Sequence, residues 1–290
     1  MDYLAPTTLA EVFDALDKYG EDARLMAGGT GLVNMIKQRL VAPECLINIS
    51  GLAGQYGQVR PEATALTIGA LVTQRHMETS AVIRDFSPLL ADTYHRVATI
   101  RIRNAATVGG GLAHGDPSQD PPVSLSVLRA RVRLAGRSGV REVELDDFLK
   151  DYYETDVRPG EVLTEVVLPA APARSGSVYM KFLPRTADDY ATVSVAALVA
   201  LADDGKTCRE ARVTLGAVGT TVIRATAAED LLRGQVLTDE AIRAAAATVP
   251  AAVDPLTDYR GSADYKRDMT EVWTRRALTE ALARAQQATA

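Results

Sequence analysis

The residues best suited to chemistry are two glycine clusters, Ala27-Gly28-Gly29-Thr30-Gly31 and Thr107-Val108-Gly109-Gly110-Gly111. Glycine tolerates positive φ and, having no Cβ, lets backbone N–H groups reach the oxygens of a bound anion. Each cluster also holds a threonine, whose hydroxyl is a further donor. Two such loops could grip one phosphate-bearing cofactor from both sides. For each alone, the alternative is an ordinary turn between two elements.

The first cluster imitates a dinucleotide fingerprint. Gly29-Thr30-Gly31-Leu32-Val33-Asn34 meets two positions of G-x-G-x-x-G and fails at the last. The long alternation of parallel strands and helices that should follow is missing too, which disfavours a Rossmann site and leaves a phosphate loop of another architecture. Behind the second cluster stands Asp116-Pro117-Ser118-Gln119-Asp120-Pro121-Pro122. Either aspartate suits a ribose hydroxyl or a ring N–H; the bland alternative is a pair of Asp-Pro turns. A third candidate runs from Lys181 to Ala191, where Lys181 and Arg185 could meet phosphate or a ring carbonyl and Tyr190 offers a flat face. Taken alone, that stretch reads as a charged connection between strands.

Other chemistries find little footing. Cys45 and Cys208 are the only cysteines, too few for an iron–sulfur cluster or a thiolate zinc site. With three histidines in the chain, a His114–Asp116 metal pair is poorly supported. No G-x-S-x-G elbow or Walker sequence occurs. The net charge is −5 with scattered basic residues, which is no footprint for nucleic acid. The opening Met1-Asp2-Tyr3-Leu4-Ala5-Pro6 lacks a basic start and an apolar core, and apolar runs are short, so a cytoplasmic location is expected.

The 290 residues allow two domains. Thr8 to Tyr19 has helical spacing with Thr8 as N-cap and Gly20 as C-cap. A strand over residues 24–27 leads into the first cluster, and a helix over 32–40 leaves it. Strands are expected at 45–49, 65–68 and 162–168, helices at 73–79, 88–97 and 123–130, and a hairpin around Arg137-Ser138-Gly139. The Pro/Ala-rich stretch from Pro169 to Gly176 is the best boundary. Beyond it lie three expected antiparallel strands (177–182, 193–202, 210–217) and helices at 225–232, 239–248 and 263–285, a compact α+β unit.

In this order and spacing, the segments resemble the FAD-binding medium subunit of the molybdenum hydroxylases, the family of xanthine dehydrogenase and aerobic carbon monoxide dehydrogenase. The resemblance spans nearly the whole chain, from Tyr3-Leu4-Ala5-Pro6-Thr7-Thr8 through the two clusters, Gly160 to Glu165 and Lys181 to Ala191, to Val253-Asp254-Pro255 and Ser262 to Arg267. It implies an α+β fold. A p-cresol methylhydroxylase-type FAD-binding domain would cover residues 1–172, with subdomains of about 1–55 and 56–172, and a small C-terminal α+β domain would cover 173–290. It also implies that Ala27, Gly28, Gly29, Thr30 and Gly31 hold the FAD pyrophosphate from one side and Thr107, Val108, Gly109, Gly110 and Gly111 from the other. Asp120 would contact FAD, Leu163 and Lys181 would line the flavin, and Tyr190 would lie against the isoalloxazine ring. The chain departs from the pattern at Gly31, where relatives often carry Ser or Asp, at Gly111 and Gly115, and at Pro121-Pro122.

The implied role is electron transfer without a catalytic acid or base on this chain. FAD would receive electrons from [2Fe-2S] clusters of a small subunit and pass them to an external acceptor, while a large subunit carries molybdopterin. The whole would be a dimer of heterotrimers. The rival readings are a standalone FAD-dependent oxidase or reductase with its own substrate pocket and an interaction subunit that has lost its cofactor.

Overall fold

A computed structural model of the chain describes residues 1–183, 185, 186 and 189–288. It begins with a three-stranded parallel sheet in the order Asp2–Leu4, Cys45–Asn48, Ala23–Met26. The central strand, Cys-Leu-Ile-Asn, is an apolar run, as a parallel strand covered on both faces requires. Helix Leu9–Tyr19 packs over it with Val12, Phe13 and Ala15 buried. A capping box fixes its start: Thr8 Oγ1 accepts from the Glu11 amide, and Glu11 returns to the Thr8 amide.

A five-stranded antiparallel sheet follows, in the order Val59–Pro61, Ala65–Gly69, Val162–Pro169, Arg131–Gly136, Gly139–Glu144. Helices Gln74–Thr79, Pro88–His95 and Asp120–Val127 close its core. A third sheet, also antiparallel, joins Ser175–Phe182, Val193–Leu201 and Cys208–Gly216, as expected, and adds the two-residue edge strand Ile223–Arg224. Every residue of Val193–Leu201 is buried. The long helix Ala263–Gln287 covers this sheet, and Asp120–Val127 of the preceding unit also packs on it.

Two expectations need correction, and two short helices were not foreseen. The second glycine cluster is not a loop: it forms helix Val108–His114 with Thr107 as N-cap. Glycine is a poor helix former, so the driving force must be packing, which the site geometry below supplies. Helix Asp120–Val127 starts earlier than expected, because Pro121 and Pro122 stand in its first turn, where a missing N–H costs nothing. Two short helices, Ala81–Phe86 and Ile100–Ala105, carried no recognised signal.

Candidate functional site

The first cluster follows strand Ala23–Met26. Gly29 sits at φ +68°, where a Cβ would be strained. The Gly29 and Gly31 carbonyls accept from the Val33 and Met35 amides (3.0 and 3.1 Å), which starts helix Leu32–Lys37. The amides of Gly28, Gly29, Thr30 and Gly31 have no partner among the described residues. Such a run of free donors at a glycine bend can receive anionic oxygens.

The second cluster is the reverse case. The Val108 amide donates to Val72 O (2.9 Å), Gly109 to Ala70 O (2.8 Å) and Gly110 to Thr107 Oγ1 (3.1 Å). Its donors are already engaged. A Cβ at Gly109 would overlap Ala70, so this helix needs glycine in order to lie directly on the Ala70 backbone. That close approach offsets the poor propensity.

The clusters meet. A Cβ at Gly28 would overlap the Ala105 carbonyl, one at Gly110 would lie 3.7 Å from Ala27 Cβ, and one at Gly31 would lie 3.1 Å from His114 Nε2. The His114 ring in turn meets Tyr153 edge-on, with centroids 5.1 Å apart. Ala105 ends helix Ile100–Ala105, which Arg103 ties down through Glu78 and the Val97 and Ala98 carbonyls. Glu78 is buried, yet bonds from Arg75, His95 and Arg103 outweigh that desolvation and hold its carboxyl down at about 2.

Asp120 and Lys181 come together, with Nζ 2.8 Å from Oδ2 and both side chains almost fully buried. Tyr179 donates its hydroxyl to the other Asp120 oxygen, and Lys181 also donates to Arg96 O (3.0 Å). Burial pushes the Asp120 carboxyl up, against the opposing pull of Lys181 and Tyr179. These residues bind the five-stranded sheet's helices to the third sheet. Leu163 is buried in the core cluster that includes Val108 and Leu112, beside a bulge in its strand.

Tyr190 meets Asp116 rather than Asp120. The residue is 43% exposed, while its hydroxyl donates to Asp116 Oδ2 (2.8 Å). Burial of the hydroxyl end and the Asp116 charge push its pKa up, so it remains a donor. Arg185 pairs with Asp189 at 3.8 Å. Pro184, Ala187 and Asp188 of the third candidate stretch lie outside the described residues.

Two neighbours carry no signal in the sequence. Gln74 Oε1 is buried without a hydrogen-bond partner among the described residues, and Gln74 Nε2 lies 3.5 Å from where a Gly111 Cβ would stand. Arg260 places its guanidinium 5.3 Å from the Tyr190 centroid. Neither position belongs to a local motif. Two concavities, of about 220 and 590 Å³, lie elsewhere, one at Glu78, Arg84 and His95 and one at Met180, Arg243 and Trp273.

The free donors of Gly28 to Gly31, facing a glycine-faced helix, fit the phosphates of a dinucleotide cofactor. Residues 1–171 match the family described as the FAD binding domain in molybdopterin dehydrogenase. Residues 178–281 match the CO dehydrogenase flavoprotein C-terminal domain. The chain is 37% identical to the carbon monoxide dehydrogenase medium chain of Afipia carboxidovorans, covering 98% of this chain and 97% of that one. It is 33% identical to the 6-hydroxypseudooxynicotine dehydrogenase complex subunit alpha of Paenarthrobacter nicotinovorans, with 98% and 95% covered. The fold superposes on carbon monoxide dehydrogenase from Hydrogenophaga pseudoflava with a TM-score of 0.94 and 36% identity, covering 98% of each chain. The chain therefore belongs to the FAD-binding subunits of the molybdopterin dehydrogenases, oxidoreductase subunits of multi-subunit enzymes.

Proposed function

We propose that this chain is the FAD-carrying electron-transfer subunit of a heterotrimeric molybdenum hydroxylase, working as a dimer of heterotrimers in the cytoplasm. Electrons arrive from [2Fe-2S] clusters of a small subunit and leave to an external acceptor; a large subunit carries molybdopterin and the substrate. Bound FAD supplies a store that fills and empties in one- or two-electron steps. The observation that carries this reading is the row of unengaged amides from Gly28 to Gly31.

In this reading those amides and the Thr30 hydroxyl hold the pyrophosphate, with Ala27, Gly110 and Gly111 as the facing wall. Thr107, Val108 and Gly109 keep that wall in place through Val72 and Ala70. Leu163 gives the flavin an apolar neighbour, Asp120 and Lys181 close the polar side, and Tyr190 lies along the ring. The cofactor domain occupies residues 1–172, in subdomains of about 1–55 and 56–172, and the C-terminal domain 173–290. A substrate held on another subunit is consistent with this chain's similarity both to a carbon monoxide dehydrogenase medium chain and to the 6-hydroxypseudooxynicotine dehydrogenase complex subunit alpha.

The purified chain should show flavin absorption bands and no turnover alone, with turnover appearing once both partner subunits are added. Substrate oxidation by the chain alone would establish the standalone reading. A colourless chain that takes up no FAD would overturn the cofactor assignment.

A further inference from the structure

Tyr190 is held at two places, its hydroxyl and its ring. Its hydroxyl donates to Asp116 Oδ2 (2.8 Å), while Asp116 Oδ1 accepts from the Ser118 amide (2.9 Å). Asp116 is 7% exposed, so this acceptor is itself fixed. The Arg260 guanidinium lies 5.3 Å from the Tyr190 centroid and 4.3 Å from that of Tyr259. The carboxylate of Asp258 holds Arg260, accepting from its amide (2.8 Å) and from Nη1 (3.2 Å). The buried Lys266 ammonium holds Asp258 in turn, at 2.9 Å. Finally, Thr192 Oγ1 donates to Arg260 O (3.4 Å), two residues along the chain from Tyr190.

Arg260 Nε is buried without a hydrogen-bond partner among the described residues. Hydrogen bonding alone would not choose that place for a guanidinium; covering aromatic rings does. A tyrosine that is 43% exposed would normally sample several rotamers. This one has its polar end tied and a cation over its ring.

We infer that Asp116 and Arg260 are positioning residues that make Tyr190 a fixed, flat platform for a planar ring system, with the Asp258–Lys266 pair as its anchor in the C-terminal domain. The platform presupposes a flavin on the exposed side of the ring, as in the proposed function. It also accounts for the Ser262 to Lys266 segment, because Ser262 caps helix Ala263–Gln287, whose first turn delivers Lys266 to Asp258. The C-terminal domain thereby sets a ring that the N-terminal half would use.

The test uses the full chain loaded with FAD, reading the fluorescence of the bound flavin, which a stacked tyrosine quenches, and the FAD dissociation constant. Asp116→Ala and Arg260→Ala should each brighten the bound flavin towards the level of Tyr190→Ala. Asp116→Ala should also raise the dissociation constant about tenfold, the size of one charge-assisted hydrogen bond. Tyr190→Phe, which keeps the ring and cuts its tie to Asp116, should be as bright as Asp116→Ala. Thermal midpoints and circular dichroism recorded alongside keep misfolding apart from misplacement.

Brightening in Tyr190→Ala alone, with Asp116→Ala and Arg260→Ala as dark as the parent, would overturn the platform and leave the flavin assignment standing. A Tyr190→Ala variant as dark as the parent would overturn the placement of this ring against the flavin, and the platform with it. Failure of the parent chain to bind FAD would overturn the cofactor reading itself.

Discussion

The two glycine clusters are alike in sequence and do opposite work. Around Gly28 to Gly31 the backbone donors have no partner among the described residues. Around Val108 to Gly110 each donor is engaged by Val72, Ala70 or Thr107. In the first cluster, missing side chains leave the backbone donors open for the proposed cofactor. In the second they let one piece of backbone lie on another, so that a rigid wall faces the first. Glycine content therefore does not distinguish a ligand loop from a packing helix; the fate of the N–H groups does.

That contrast can be broken by substitution. The largest effect should come from Gly109→Val. Its new side chain would collide with Ala70, and stability should fall by about 3 kcal/mol, the upper end of overpacking costs, as read by denaturant melting. The fraction that stays folded should still bind FAD. Gly29→Ala should cost ~1–2 kcal/mol for its left-handed backbone and weaken FAD by more than that loss implies, because it tilts the free amides. If titrations showed the reverse (Gly109 governing affinity and Gly29 only stability), the proposed division of labour would be wrong. Thr107→Ala removes the cap of the second cluster and should cost ~1 kcal/mol, with FAD affinity close to the parent's.

The smallest effect concerns pH. Glu78 anchors Arg103, whose helix ends at the Ala105 carbonyl pressed against Gly28. Its folded pKa lies below the ordinary value, so its stabilisation is complete above pH 4.5 and fades as pH falls towards about 2. Acid titration of stability between those limits should be shallower in Glu78→Gln than in the parent. Equal slopes would remove Glu78 from the support of the first cluster.

Much of this architecture was legible locally. The Thr8–Glu11 capping box, the strand leading into Gly28, and the hairpin that closes Gly136 onto Gly139 are short-range patterns and fell where expected. The helix at Val108–His114 was not legible, because three glycines argue against a helix and the compensating contact, with Ala70, is tertiary. Only Thr107, with its hydroxyl free to accept from the Gly110 amide, hinted at it. Within the site, the pairing of Lys181 with Asp120 and of Tyr190 with Asp116 joins distant segments, and spacing carries no trace of which aspartate each meets. Arg260 and Gln74 escaped for the same reason. The His114 ring lies 3.1 Å from where a Gly31 Cβ would stand and Gln119 3.0 Å from where a Gly111 Cβ would, so neither position faces empty space.

The two cysteines sit in different cores, Cys45 in the central parallel strand and Cys208 at the start of a strand in the third sheet, and both are fully buried. Burial pushes both thiols up, Cys208 to about 11, so neither is an effective nucleophile while its core stays shut. Each is thus a native clock. The rate at which a thiol-specific label reaches one or the other would time the opening of that core alone, and FAD should slow the Cys45 clock more than the Cys208 clock if the cofactor clasps the first cluster.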